Sequence, residues 1–546
     1  MTATTASHRS RLPASAEGLA QSVRAEWTKF RTVRGWVTLA VIAGLMIVLL
    51  AYLATFHQEV RVCTGTSPAS QSCGPANPHV PLGPNGEPVS DTYYFVHRTL
   101  TGDGTITARV GPLAGWTQTG NGNGLRGCQA APGNRPPAGT TGCVDEPTGA
   151  PAAAQPWSKA GLLMRANVRP GSAYAAVMLT GAHGVRMQSD YTDDAAGPAV
   201  PSRSARWLRL TRSGQTLTGY ESADGLHWQR VDSVHLSGLP QIVQAGLFVT
   251  SPETAPMSST LAPRTTSRPT SATARFDQLR LEGGWSSRGW SAEEVGDTGM
   301  YPTLSSVGSR HSGGVFTVTG SGDIAPAVGV GDSDWQALTG VFVGLIALIV
   351  LGAIFITSEY RRGLIHTTLA ASPRRGRVLV AKALVIAGVA FVAAAVAAAI
   401  SIPLGSHLLR VNGNYVYPMG TLTQLRVILG TGALVALAAV LALALGAVLR
   451  RGAGAVTASV GLIILPYVLA TFSALPAGAS QWLMRLTPAA GFAIEQAVPQ
   501  YRQVNYPYTP TQGFYPLSPA AGLAVLLAYT LIALLVANRL LQTRDA

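Results

Sequence analysis

The apolar residues of this chain fall into two patterns. In six places they run on for about the 20 residues that a helix needs to cross a bilayer. These runs are Trp36–Phe56, Trp335–Ser358, Val378–Ile402, Val427–Leu449, Gly452–Phe472 and Leu517–Asn538. Between the first and second runs the period changes to two. The stretches "GTITARV", "WLRLTRSGQTLTGYES", "AGLFVTS" and "ARFDQLRLE" alternate apolar and polar positions between Gly-rich turns. This alternation predicts an antiparallel β-sandwich over 91–283. The Pro/Thr/Ser-rich stretches 115–156 and 251–273 read as loops within it. The predicted fold class is therefore an α-helical polytopic membrane protein with six spans and an inserted antiparallel β-sandwich.

A third pattern precedes the first run. In "EGLAQSVRAEWTKFRTVRGW", Leu19, Val23, Trp27 and Phe30 share one helical face, with Arg24 and Arg31 to one side and Lys29 to the other. This predicts an amphipathic helix within 1–35 lying on the membrane surface. Glu26 at the edge of the apolar face weakens the pattern. Near the other end, "SQWLMRLTPAAGFAIEQAV" is apolar but too interrupted to span. The segment 480–516 is expected to form short external or re-entrant helices before the last run.

Charge decides orientation. Charged residues make up only 12% of the chain, about half the usual share of roughly 25%. Residues 57–334 hold 20 Lys/Arg and 21 Asp/Glu of the chain's 40 and 26, so the basic excess lies beside the apolar runs. That distribution argues against nucleic acid as a partner, which would want a basic face within a folded domain. Arginines crowd the arm before the first run, the second-to-third loop, the fourth-to-fifth turn and the tail. The positive-inside bias then puts both termini in the cytosol and residues 57–334 outside. All four cysteines, Cys63, Cys73, Cys128 and Cys143, fall in that stretch, and two disulfides in an oxidising compartment are expected. Sequence neighbours favour Cys63–Cys73 and Cys128–Cys143, with the other pairings open. No acid or base stands near the centre of a run, which argues against ion-coupled transport. Small residues at the head of the fifth run permit close helix contacts, and Pro466 is expected to kink it.

The second-to-third loop, "EYRRGLIHTTLAASPRRGR" (359–377), carries more than a topology signal. Arg361, Arg362, Arg374, Arg375 and Arg377 surround a short apolar face of Leu364, Ile365, Thr368 and Leu369, and Pro373 ends it. Apolar residues with a charged rim suggest docking of another protein. Glu359 is expected to begin a short helix here and to pair with an arginine.

The stretch "FITSEYRRGLIHTTLAASPRRGRVLVAK" resembles the coupling loop of type-2 ABC exporter permeases, and "RAEWTKFRTVRGW" resembles their opening amphipathic helix. The resemblance implies an ATPase-docking loop of Glu359, Tyr360, Arg361, Arg362, Gly363, Leu364, Ile365, Thr368, Leu369, Arg374 and Arg375. It also implies a separate ATPase subunit that binds ATP and magnesium, a second permease copy or paralogue, and a bacterial plasma membrane. The inserted domain of some 280 residues departs from the usual pattern. The chain can hold no phosphate-cradling Gly-Lys-Ser/Thr loop, because its three lysines stand in "WTKF", "WSKA" and "VAKA". No cofactor and no catalytic residue is expected in the chain itself.

The order of β segments resembles bacterial concanavalin-like jelly-roll domains, some of which bind or cleave glycans. The glucanase Glu-x-Asp-x-x-Glu strand is absent. "SADGLHW" is one residue short of a sialidase Asp-box and reads rather as a hairpin turn around Asp224-Gly225. The "DYTDD" stretch, Asp190 to Asp194, offers calcium ligands or a solvated loop. Trp157, Trp207 and Trp228 offer sugar platforms or core. A membrane-anchored glycan-binding or sensing protein is the alternative reading, although anchoring alone needs one span rather than six.

Overall fold

The computed structural model describes residues 17–56, 61–64, 72–75, 80–117, 150–201, 204–254, 268–296, 307–328, 336–361, 363, 375–471, 475, 477–506, 508–510 and 513–543. Eight α-helices are described: α1 (Glu17–Thr32), α2 (Arg34–Phe56), α3 (Val341–Arg361), α4 (Arg375–Val411), α5 (Thr421–Leu449), α6 (Gly452–Thr471), α7 (Ala477–Leu486) and α8 (Pro519–Thr543). Six of them, α2 to α6 and α8, are long and apolar enough to cross a membrane. Each overlaps one of the six apolar runs, but the ends differ. At 37 residues α4 is about 55 Å long by helical rise, well past the ~30 Å of a hydrocarbon core. Hydropathy marks the bilayer, whereas a helix stops only where its hydrogen bonds do.

The central post is α5, which packs against α3, α4, α6 and α8. Its contact with α3 is close because Gly352 has no side chain: a Cβ there would lie 2.2 Å from the Ala439 carbonyl oxygen. A proline, Pro466, sits inside α6. Between α6 and α8 lie α7 and a buried 3-10 helix, Pro488–Glu495, which packs on α5, α6 and α8. The interrupted segment is thus helical in two short pieces.

The β domain has nineteen strands among the described residues. They are β1 (Arg61–Thr64), β2 (Ser72–Pro75), β3 (Val89–Asp91), β4 (Tyr93–Val110), β5 (Ala114–Thr117), β6 (Ala150–Ala152), β7 (Lys159–Arg165), β8 (Tyr174–Thr180), β9 (Val185–Ser189) and β10 (Asp193–Ala196). Then follow β11 (Arg206–Ser213), β12 (Thr216–Ser222), β13 (Gln229–His235), β14 (Ile242–Thr250), β15 (Thr270–Trp285), β16 (Ser291–Val295), β17 (Gly308–Ser312), β18 (Val315–Ser321) and β19 (Ile324–Pro326). Strands therefore continue beyond residue 283, and β15 pairs with β18.

All the pairings are antiparallel, and the main path runs β10-β9-β8-β7-β14-β4-β11-β12-β13. The long strand β4 serves two layers. Its first half pairs with β14 and its second half with β11. Between the halves Gly102 adopts φ +69°, a conformation glycine takes without penalty. Past that bend the sheet folds over, so that β13 packs on β9 and β11 on β8. Val96, Leu100, Leu162, Val177, Leu208 and Leu217 fill the space between. Strands β7 and β8 are buried along their whole length because both faces are covered. Their second face carries Tyr93, Phe95, Tyr174, Tyr191 and Phe248, closed by the β3–β19 pair.

That second face meets the helical part. Gln503, between the 3-10 helix and α8, donates from Nε2 to the carbonyls of Tyr191 and Thr192 at 3.2 and 2.9 Å. Asn505 donates to the Glu253 carbonyl at 3.2 Å. Val328, Val498 and Phe514 pack beside them, with Tyr417, Tyr501 and Tyr508 around the edge.

Candidate functional site

The candidate site lies at the end of the helices remote from the β domain, where α1, α3 and α4 meet. Part of the apolar face of α1 packs against the other helices. Phe30 is buried, stacks on Trp36 at 6.4 Å and meets Phe355 of α3 edge-on at 6.2 Å. Leu19 and Val23 are half-buried, and Trp27 stays 46% exposed. Glu26, which disturbed the sequence pattern, does not face water. It is 3% exposed and points into the bundle.

There it meets three other charges. Lys382 Nζ of α4 donates to Glu26 Oε2 and to Glu359 Oε1 of α3, each at 2.7 Å. Lys29 Nζ donates to Glu26 Oε1 at 2.8 Å and to Glu359 Oε1 at 3.2 Å. Lys382, 1% exposed, also lies 4.8 Å from the centre of the Phe355 ring. Two carboxylates and two ammonium groups from three helices thus form a balanced cluster, shielded everywhere except at Lys29, whose side chain is 41% exposed. Burial works to lower the Lys29 pKa, but its hydrogen bond to Glu26 and the charges of Glu26 and Glu359 outweigh burial and raise it. Taking four charges from water is expensive, and only their mutual pairing offsets it. The cluster therefore tolerates exchange of partners but not loss of one.

Two of these helices, α3 and α4, hold the ends of the basic loop. Glu359, Tyr360 and Arg361 form the last turn of α3, and Arg375 opens α4. The Tyr360 ring lies 5.4 Å from the Arg450 guanidinium, and Arg375 donates to the Leu541 carbonyl of α8 at 2.7 Å. Gly363 follows α3 with φ +67°, and its amide donates to the Tyr360 carbonyl. Arg362, Leu364, Ile365, Thr368, Leu369 and Arg374 lie outside the described residues. The expectation for Glu359 is corrected: it ends α3 rather than beginning a new helix, and among the described residues it pairs with Lys29 and Lys382. A carboxylate at a helix C-terminus opposes the helix dipole, by roughly 0.3–1 kcal/mol, and two lysine ammonium groups overcome that penalty.

In the β domain the predicted residues are dispersed. Two of the three acids of "DYTDD" are taken up by protein partners, and the third, Asp193, is exposed. Asp190 Oδ1 accepts from the Tyr174 amide at 3.1 Å, and Asp194 pairs with Arg186 and accepts from Gln188 Nε2 at 3.0 Å. Among the described residues no three His, Cys, Asp or Glu side chains could jointly hold a metal ion. Trp157 is buried and stacks on His183 at 4.0 Å, Trp207 is half-buried against Gly225, and Trp228 is half-buried with the Arg209 guanidinium 3.9 Å from its ring centre. The Asp224-Gly225 turn links β12 to β13, as the sequence suggested. Its Asp224 Oδ1 accepts from the amides of Leu226 and His227 at 2.8 and 2.9 Å. Cys63 and Cys73 stand opposite each other in the β1–β2 register, whereas Cys128 and Cys143 lie outside the described residues.

Sequence reasoning missed a buried network beneath β3. Arg165 Nη2 donates to Asp91 Oδ2 at 2.9 Å, and the same oxygen accepts from the Tyr191 hydroxyl at 2.8 Å and the Gly171 amide at 2.9 Å. Nearby Lys159, fully buried, donates to Asp323 at 2.8 Å and to the Ile324 carbonyl. The signal was present in the sequence: Lys159 and Arg165 bracket the otherwise apolar strand "KAGLLMR".

No family model and no curated protein matches this chain. Among solved structures, the GH43 BlXynB protein from Bacillus licheniformis aligns at 12% identity with a TM-score of 0.18, over 33% of this chain and 27% of that one. The chain thus spans about a quarter of that structure's length. A functionally unknown protein from Saccharomyces cerevisiae aligns at 12% identity and a TM-score of 0.21, over 41% of this chain and 96% of its own. Scytalido-glutamic peptidase aligns at 9% identity and a TM-score of 0.24, over 42% and 98%.

Proposed function

We propose that this chain is the permease subunit of an ATP-binding-cassette exporter, working with a separate ATPase that binds ATP and magnesium. The observation that carries the reading is the four-charge cluster. It fastens a surface helix to the two spans whose ends emit the basic loop, so a push on that loop reaches α1, α3 and α4 together. Such a joint suits rigid-body transmission between packed helices. In this reading the loop and both termini face the cytosol of a bacterium, and the β domain stands outside the plasma membrane. The four cysteines form two disulfides there, with Cys63–Cys73 and Cys128–Cys143 the favoured pairing. One six-span chain supplies half a pathway, and a second copy or paralogue completes it.

The test is co-purification with an ABC ATPase from the same cell. Leu364→Asp and Leu369→Asp should each abolish ATPase pull-down while the permease remains inserted, because a buried unpaired charge costs more than a modest interface can lose. Normal pull-down and normal export by both variants would overturn the reading. Binding of a glycan by the isolated β domain, together with failure to recover any ATPase, would favour an anchored glycan-binding protein instead.

A further inference from the structure

Beside the cluster, α1, α2 and α4 enclose a groove of about 710 Å³ that no side chain of the described residues fills. Its wall on α2 runs from Val37 to Val48 and its wall on α4 from Leu384 to Ile400, while Val23, Trp27 and Phe30 close one end. Every lining residue is apolar, aromatic or glycine. The groove opens sideways, since Leu45, Val392 and Ile400 are 63, 59 and 48% exposed. It is deepened by Gly388, where an added Cβ would meet no atom within 4 Å. From Val37 to Val48 the wall measures about 17 Å by helical rise, close to the ~15 Å of one leaflet's hydrocarbon. The closed end is where charge begins. Arg24 and Arg31 of α1 and Arg34 of α2 are all exposed there, beside a half-exposed Trp27 of the kind that sits at headgroup level.

We infer that the groove holds one acyl chain of an anionic phospholipid from the leaflet on which α1 lies, with its phosphate held by Arg24, Arg31 and Arg34. The apolar wall selects a hydrocarbon chain rather than a peptide, whose backbone groups would find no hydrogen-bond partner there. The guanidinium groups select the phosphate and add electrostatic preference for a lipid of net negative charge. A lipid seated there packs on Val23, Trp27 and Phe30, the apolar face of α1 at whose edge Glu26 stands, and so bears on the ionic joint. The inference rests on the six spanning helices and on α1 as a surface helix. It needs no ATPase.

The experiment reconstitutes the full chain in phosphatidylcholine vesicles containing a minor share of phosphatidylglycerol with a photoreactive acyl chain, and maps adducts by mass spectrometry. Labelling should concentrate several-fold on α2 and α4 around Leu45 and Val392, relative to the equally exposed Ile532 and Leu535 of α8. Gly388→Phe, which fills open space, should remove that excess without lowering the yield of folded protein. Arg24→Gln with Arg31→Gln should reduce phosphatidylglycerol labelling to the level given by a phosphatidylcholine probe. Equal labelling of α8, or an excess that survives Gly388→Phe, overturns the proposal. So does efficient cross-linking of Leu45→Cys between two copies without lipid adducts, which would make the groove an interface between chains.

Discussion

Two buried ionic networks among the described residues are built differently. In the β domain, Asp91 is held by a guanidinium, a phenol and a backbone amide, and Arg165 also donates to the Arg169 carbonyl at 2.8 Å. Lys159 likewise divides its donors between Asp323 and a backbone carbonyl. Each charge there is fixed by groups that cannot move without unfolding the strands. At the helix joint the four charges find their hydrogen-bond partners, among the described residues, only in one another. They come from three separate helices, Glu359 Oε1 is shared by two lysines, and Glu359 Oε2 is buried without a partner among the described residues. The first network staples a domain. The second can slide between pairings at little cost, because any displacement that keeps two ammonium groups near two carboxylates preserves most of the attraction. Backbone acceptors make a buried charge rigid, and shared side-chain partners leave it mobile.

The sharpest way to break this contrast is to delete one cation from each network. Lys382→Met should destabilise the helical part by about 3–5 kcal/mol, since it strands two carboxylates with a single half-exposed lysine. Thermal denaturation in detergent would show it, and limited proteolysis should reveal α1 released while the β domain stays protected. Arg165→Met should cost a comparable amount but lower the protection of the β domain alone. If both variants fail in the same segment, the two networks are not independent.

A smaller effect separates sharing from pairing. Glu359→Gln keeps the shape but leaves Lys29 and Lys382 with Glu26 as their one carboxylate. It should cost about 1–3 kcal/mol, less than Lys382→Met, because Lys29 can turn to solvent. In the exporter reading it should keep ATPase assembly and weaken the link between hydrolysis and transport, measured as ATP consumed per substrate moved. Smaller still, Tyr191→Phe removes one hydrogen bond to Asp91 and should cost about 0.5–1.5 kcal/mol in the denaturation of the β domain.

The smallest effect is on the exposed Asp224 turn. The hydrogen bond and charge of Asp224 raise the His227 pKa, and that contact in turn lowers the Asp224 carboxyl. A raised histidine contributes its stabilisation fully below its unfolded pKa and loses it as pH rises through the folded value. Asp224→Asn should return His227 to the ordinary range in an NMR titration and abolish that dependence. An unchanged titration would show that this contact does not govern the turn.

The helices were legible because hydropathy acts one residue at a time. So was α1, because Val23, Trp27 and Phe30 repeat at helical spacing. The partnerships were not. A helical wheel gives the angle of Glu26 but not what stands opposite, and its partner Lys382 is 356 residues away. Lys382 counted in the sequence only against a nucleotide loop, although a lone lysine in "LVAKALV" is costly enough to demand a partner. Of the strands after residue 283, "GSRHS" and "SAEEV" lie at edges and expose polar residues, leaving no alternation to read, whereas "VFTVTGS" does alternate and was overlooked.

The near-absence of lysine has a practical consequence. The chain carries 40 basic residues, of which three are lysines, so its positive surface is almost wholly guanidinium. Lys159 and Lys382 are sealed in the interior, and Lys29 is the one side-chain amine within reach of solvent. Amine-directed reagents would therefore read a single side chain, besides the α-amino group, which peptide mapping separates. Held by two carboxylates that raise its pKa, Lys29 should acylate slowly while the joint is closed and faster whenever α1 lifts away. An ordinary succinimidyl ester thus becomes a clock for that motion, needing no engineered label.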